Sequence, residues 1–144
     1  MKLLIWLSLF VTFPVVAIEP LHKDDLTSAL AVKDQTVHLV FFDVWQDGYS
    51  DKGPVANSKN ISALSKGGQN VIWIAPKFNI TDQQIQDFLS SQSEIKKFIA
   101  DENLSVMRQF KVRKTPTHIL VKNGEILFKG STEEVLHLNE KGEK

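Results

Sequence analysis

The residues that could carry chemistry are concentrated in the stretch LVFFDVWQDGYSDKGP, which begins at Leu39 and ends at Pro54. An apolar run leads to Trp45, and a short polar segment containing Gln46 and Tyr49 follows it. Neither of these two side chains can take the place of a thiol, because an amide is not a nucleophile and a phenol forms no disulfide. The chain has no cysteine, which excludes thiol nucleophiles, disulfide bonds and thiolate metal ligands. Whatever this stretch does, it does without a thiol.

The acidic residues around this stretch offer a second kind of chemistry. Asp43, Asp47 and Asp51 flank the turn, without the glycine and glutamate positions of a calcium loop. We interpret Asp47 and Asp51 as solvated turn residues. Asp43 lies at the end of a buried strand, so a polar site formed by Asp43, Gln46 and Tyr49 stays open as an alternative.

The four histidines are scattered along the sequence, and none is paired at the spacing of metal ligands. His38 and His118 lie in predicted strands and would be neighbours if those strands pair. A structural role for them is favoured over a metal site. The sequence contains no phosphate-binding glycine loop and no nucleophile elbow, so no cofactor is predicted.

The composition is that of one globular domain. The chain has 144 residues, of which 42% are hydrophobic and 24% are charged. There are 17 basic and 17 acidic residues, so the formal net charge is zero and no electrostatic footprint for nucleic acid is present.

The N-terminus has the pattern of a targeting segment. Lys2 precedes an apolar stretch from Leu3 to Val16, and small residues up to Ala17 suit a cleavage site. The stretch is shorter than the roughly 20 residues that a membrane-spanning helix needs. We therefore expect a signal peptide over residues 1–17, a mature domain over residues 18–144, and a periplasmic or secreted location without stable membrane insertion. An uncleaved anchor is the alternative.

The remaining pattern predicts alternating strands and helices followed by a hairpin. A helix is predicted around Leu26, and a turn separates the first buried strand from a helix that contains or begins at Pro54 and stops at Gly67-Gly68. Glu94–Ala100 is left open between a strand and a helical turn. The other predicted elements are a strand Val37–Val44, a strand Asn70–Ala75, a helix capped by Thr81, a helix capped by Asp101, strands Thr117–Lys122 and Glu125–Lys129 joined by Asn123-Gly124, and a helix Thr132–Glu140.

Three segments in this order resemble the thioredoxin-like superfamily, in particular its periplasmic TlpA-like redoxin branch. The resemblance covers roughly residues 37–130. It implies an α/β fold with a central mixed β-sheet, helices on both faces, and an extra helix between the second strand and the Asp101 helix. The three segments are Trp45 to Tyr49 with Pro54, Asp101 to Val112, and Thr115-Pro116-Thr117 with the hairpin and Gly130.

The resemblance also implies what has been lost. The two cysteine positions of the family fall on Gln46 and Tyr49, and the position of a buried aspartate that assists proton transfer falls on Val40. Thiol–disulfide exchange needs an attacking thiolate and a resolving thiol, so no oxidoreductase activity of that kind is expected. The resemblance further implies a cis peptide bond before Pro116, opposite the former active-site turn.

Three functions follow as hypotheses. The first is an exported, redox-inactive protein that binds a protein or extended peptide at the former active-site face, in an assembly, chaperone or accessory role. The second is an enzyme of non-thiol chemistry, and the third is a structural subunit of a larger periplasmic assembly. An alternative for Tyr49 is that it plugs the space left by the cysteines. The residues assigned to the binding face are Trp45, Gln46, Asp47, Gly48, Tyr49, Thr115 and Pro116.

Overall fold

The computed structural model describes residues 18–65 and 70–142, with side chains described as far as residue 138. The expected signal segment and the predicted helix end at Gly67-Gly68 lie outside these residues. A single-turn 3-10 helix spans Glu102–Leu104. The elements are β1 (Glu19–Pro20), α1 (Lys23–Leu30), β2 (Thr36–Phe41), α2 (Ser58–Ala63), β3 (Val71–Pro76), α3 (Asp82–Ser90), β4 (Lys97–Asp101), α4 (Ser105–Gln109), β5 (Thr117–Lys122), β6 (Glu125–Gly130) and α5 (Thr132–Gly142).

The strands form one mixed sheet in the order β1-β4-β3-β2-β5-β6. The first four strands in that order are parallel to one another, whereas β5 is antiparallel to β2 and β6 is antiparallel to β5. The hairpin turn between β5 and β6 is Asn123-Gly124, and both residues have positive φ, as a type I′ turn requires. The predicted α/β architecture with a mixed central sheet is confirmed.

Strand β2 lies in the middle of the core, with successive side chains on opposite faces of the sheet. Val40 and Phe42 pack with apolar residues of α2 and α3, while Leu39 and Phe41 pack with those of α1 and α4. All four side chains are fully buried. Burying a side chain of this size stabilises the fold by about 1.5–3 kcal/mol relative to leaving it exposed. Helices therefore cover both faces of the sheet.

The segment that the sequence left open is a strand, β4, which pairs with β3 on one side and with the two residues of β1 on the other. Asp101 is the last residue of β4, and helix α4 begins four residues later, at Ser105. The buried carboxylate of Asp101 nevertheless serves that helix, because its Oδ1 accepts the N–H of Val106 at 2.8 Å and its Oδ2 accepts the N–H of Met107 at 3.0 Å. Asp101 therefore caps α4 as expected, although the 3-10 helix Glu102–Leu104 separates Asp101 from the start of α4.

The predicted neighbours His38 and His118 meet across β2 and β5. His38 Nε2 lies 2.8 Å from His118 Nδ1, and His118 Nε2 lies 2.8 Å from Thr132 Oγ1 at the start of α5. Both imidazoles are buried. Burial lowers the pKa of His38 to about 4, and burial together with the neighbouring His38 lowers the pKa of His118 to about 3. No group of three or more potential metal ligands occurs among the residues described. The hydrogen bonds of the pair join β2, β5 and α5.

This pair predicts a loss of stability in mild acid. In the unfolded chain each imidazole takes up a proton near pH 6.5, whereas the folded protein resists protonation until about pH 4 or below. The unfolded state therefore binds more protons in this window, and the free energy of unfolding falls as the pH drops from about 6.5 towards 4. Since a pKa difference of one unit is worth about 1.4 kcal/mol, we expect a total loss on the order of a few kcal/mol in urea unfolding.

The control for this prediction separates the buried pair from other titrating groups. The double variant His38→Gln with His118→Gln should lose less stability than the parent protein over the same pH range. The variant His22→Gln changes an exposed histidine and should keep the parent dependence. A double variant with the parent pH dependence would contradict the assignment.

Candidate functional site

The candidate site lies at the sheet edge where the parallel strands β2, β3 and β4 end. Strand β5 begins at this same edge, because Thr117 is the partner of Phe41, the last residue of β2. The loop after β2 therefore leaves the sheet beside the Thr115-Pro116 loop. The carboxyl-terminal edge of a mainly parallel sheet is a common place for ligand sites in α/β proteins.

Two aspartates build the turn that follows β2. Asp43 Oδ1 accepts the N–H groups of Trp45 and Gln46, each at 2.9 Å. Asp47 Oδ2 accepts the N–H of Asp43 at 2.7 Å, and the N–H of Asp47 returns to the Asp43 carbonyl at 2.8 Å. Asp47 is only 7% exposed, so the interpretation of Asp47 as a solvated turn residue is wrong. Its carboxylate is turned inward because it satisfies a main-chain donor that would otherwise be unpaired.

The turn is also closed by a residue of α3 that the sequence did not assign to the site. The ring of Phe88 packs against the ring of Tyr49, with centroids 5.3 Å apart and an interplanar angle of 62°. A Cβ on Gly48 would lie 2.7 Å from Cζ of Phe88 and 2.3 Å from the carbonyl oxygen of Val44. Only glycine allows this close approach. The sequence places Phe88 on the apolar face of α3, but that pattern predicts core packing and not contact with the turn.

The aromatic residues of this edge are open to solvent. Trp45 is 54% exposed and Tyr49 is 69% exposed, while Gln46 is also exposed. Tyr49 therefore does not plug the core. Phe78, in the loop after β3, is 71% exposed at the same edge and was missed because an isolated aromatic in a polar loop gives no pattern.

The second loop of the site contains a cis peptide bond between Thr115 and Pro116. Thr117 Oγ1 donates to the carbonyl of Lys114 at 2.7 Å, which holds the loop in place. In the described part of the chain, no hydrogen bond is formed by the main-chain N–H or carbonyl of Thr115.

A cleft of about 600 Å³ lies beside this loop. Trp45 and Tyr49 do not line it, so the residues assigned to the binding face do not share one cavity. The aromatic rim and the cleft are separate parts of one edge. The residues that line the cleft are Lys111, Arg113, Lys114, Thr115, Pro116, Thr117, Lys129, Gly130, Ser131 and Glu134.

Pro54 is not part of a helix. The prediction that it lies inside or at the start of one is wrong, because α2 begins only at Ser58. The chain between them forms successive turns, in which Gly53 N–H donates to the Ser50 carbonyl and Asn57 N–H donates to the Pro54 carbonyl. Glycine, serine, aspartate and proline favour such turns over helix.

No protein-family model and no curated protein sequence matches the chain. Solved structures do match. StoA from Bacillus subtilis is 18% identical, with 75% of this chain and 84% of that chain covered and a TM-score of 0.55. The C-terminal domain of a putative thiol-disulfide oxidoreductase from Bacteroides thetaiotaomicron is 24% identical, with 77% and 78% covered and a TM-score of 0.55.

A third similar structure is the exposed lipoprotein thioredoxin Etrx1 from Streptococcus pneumoniae. It is 12% identical, with 81% of this chain and 89% of that chain covered and a TM-score of 0.55. These likenesses define the class: the chain has the thioredoxin-like fold, and the resemblance read from the sequence is confirmed at the level of the fold. The protein carries that fold without any cysteine. Among the helices described, none is long and apolar enough to cross a bilayer.

The close approach at Gly48 predicts a cost for any side chain there. Gly48→Ala should lower the free energy of unfolding by about 1–3 kcal/mol, because the Val44 carbonyl is main chain and cannot move away freely. Urea unfolding measures the change. Ser50→Ala, at an exposed position of the same loop, is the control and should change stability little. An unaltered midpoint for Gly48→Ala would contradict the packing of Phe88 against the turn.

The alignment with the family predicts a second outcome. The double variant Gln46→Cys with Tyr49→Cys should form an intramolecular disulfide under mild oxidant if the turn keeps the family's geometry, since a disulfide requires Cα atoms about 4.4–6.8 Å apart. Mass spectrometry after thiol alkylation measures the product. Each single variant is a control that can form only intermolecular disulfides. Two free thiols in the oxidised double variant would contradict the alignment of this stretch.

Proposed function

We propose that this protein is an exported thioredoxin-fold protein that binds an extended protein or peptide segment at the carboxyl-terminal edge of its sheet, without thiol chemistry. The observation that carries the proposal is the exposure of Trp45 and Tyr49 on the edge where the Thr115 main chain is unbonded. Aromatic side chains of this kind are frequent anchors in binding surfaces. An assembly, chaperone or accessory role is compatible with such a surface.

The mode of binding that suits this edge is strand addition. An extended peptide laid along the Thr115 loop would accept the Thr115 N–H and donate to its carbonyl, while the side chains of the peptide would contact the exposed aromatics. Main-chain hydrogen bonds of this kind give affinity, and the neighbouring side chains give specificity. The turn of Asp43 and Asp47 supports the rim, because its main chain is already held by hydrogen bonds before a partner arrives.

Two features support the loss of thiol chemistry and the export. Without cysteine there is no thiolate to attack a disulfide and no thiol to resolve one. The apolar N-terminal stretch with Lys2 supports a signal peptide, and one of the similar structures is that of an exposed lipoprotein. The hydrogen bonds of Asp43 argue against the enzyme alternative. Its Oδ1 already accepts two main-chain N–H groups, so this carboxylate organises the turn.

The binding proposal is tested by titrating the ¹⁵N-labelled full chain with an uncharged, unstructured peptide that contains aromatic residues. We expect the Trp45 indole N–H and the Thr115 amide to shift on binding. Tyr49→Ala, which removes a rim anchor, and Thr115→Arg, which obstructs the loop, should each weaken binding about tenfold, or about 1.4 kcal/mol.

Val32→Ala is the matched control for this titration. Val32 is 47% exposed and precedes β2, so it lies at the opposite end of the central strand. Its replacement should leave the affinity unchanged. Equal affinities for the parent, Tyr49→Ala and Thr115→Arg would reject the proposed surface.

A further inference from the structure

The cleft beside the Thr115-Pro116 loop is strongly cationic although the whole chain has a formal net charge of zero. Four of its lining residues are basic and exposed, and one is acidic. The ion pairs formed between described side chains involve none of these four cations. The basic residues are Lys111, Arg113, Lys114 and Lys129.

The acidic residue of the cleft is already engaged. Glu134 lies in the first turn of α5, where its Oε1 accepts the N–H of Ser131 at 3.4 Å, and Ser131 Oγ accepts the N–H of Glu134 at 3.1 Å. This reciprocal arrangement is a capping box. Glu134 therefore caps the N-terminus of α5. The four basic residues of the cleft are thus opposed by this single acidic residue among the residues that line it.

The loop from Phe110 to Thr115, which contains three of the cations, is held by hydrogen bonds from β6. Lys129, on β6, donates from Nζ to the carbonyl of Phe110 at 3.2 Å and to the carbonyl of Lys111 at 2.9 Å. The loop then runs directly into Arg113, Lys114 and the unbonded main chain of Thr115. Three of the four cations, Lys111, Arg113 and Lys114, thus belong to the same short segment as the unbonded main chain of Thr115, and Lys129 holds the start of that segment.

We propose that the extended segment bound at this edge is acidic, with Asp or Glu side chains placed over Arg113 and Lys114 while its main chain pairs with Thr115. This inference rests on the proposed binding function and adds the chemistry of the partner. Carboxylates are favoured there by charge complementarity, and guanidinium groups bind carboxylates in a bidentate manner. An acidic peptide suits the edge better than a nucleic acid, because the overall charge is neutral and the available main-chain groups of Thr115 match those of a polypeptide strand.

The test compares three short, unstructured peptides that have the same aromatic residues and carry Glu, Gln or Lys at the same positions. Each is titrated into the ¹⁵N-labelled full chain at low and at high salt. The Glu peptide should bind about tenfold more tightly than the Gln peptide at low salt, and the Lys peptide should bind most weakly. High salt should reduce the difference, because these charges are exposed to solvent.

Variants identify the residues responsible. Arg113→Gln with Lys114→Gln should remove the preference for Glu while leaving the binding of the Gln peptide intact, and Arg113→Lys should retain most of it. The matched control, Lys33→Gln with Lys59→Gln, changes two exposed lysines outside the cleft and should retain the full preference. The amide spectrum of each variant reports whether the fold is preserved.

The possible failures are distinguishable. Equal binding of the Glu and Gln peptides would overturn the acidic partner and leave the proposed binding function standing. No binding of any peptide would overturn both. A preference for Glu that survives in Arg113→Gln with Lys114→Gln would overturn the assignment to this cleft. A single-stranded oligonucleotide that binds as tightly as the Glu peptide would overturn the peptide as the class of partner.

Discussion

Burial of β2 on both faces is the constraint on which the rest of the structure depends. Its side chains from Leu39 to Phe42 alternate between two apolar clusters, so a shift of one residue in its register would exchange the two clusters. The same register sets Phe41 opposite Thr117. The positions of the Trp45 turn and of the Thr115 loop at one edge are therefore consequences of core packing and need no contact between the two loops.

The turn after β2 is organised by hydrogen bonds and packing, without any cysteine. The reciprocal hydrogen bonds of Asp43 and Asp47 organise its main chain, and Phe88 covers Gly48. These interactions come from the chain itself, so the turn needs no disulfide to hold its conformation. Because a fold does not fix a function, a turn organised in this way can belong to a protein without thiol chemistry.

Much of the fold could be predicted from the sequence because its signals are local. The apolar run of β2, the Asn123-Gly124 turn and the cap at Thr81 each depend on a few neighbouring residues. The details of the site could not be predicted in this way. The carboxylate of Asp47 accepts a main-chain N–H inside the turn, and Phe88 of α3 packs against Tyr49 of the turn. Both arrangements depend on the tertiary structure and leave no local pattern in the sequence. The cationic cleft likewise brings the loop before β5 together with the end of β6 and the start of α5, which lie more than ten residues further along the chain.

The exposure of the aromatic rim is not required by the core. Leaving a large apolar side chain in water forgoes about 1.5–3 kcal/mol that its burial would contribute, and the clusters on both faces of the sheet are complete without Trp45, Tyr49 and Phe78. Single exposed apolar residues need no explanation, but these three lie at the same edge of the sheet as the Thr115 loop. A partner that covers the rim would recover this burial and satisfy Thr115 at the same time. The free energy that the isolated chain forgoes by exposing these side chains would thus contribute to binding. This is the physical reason to regard the edge as a surface for recognition.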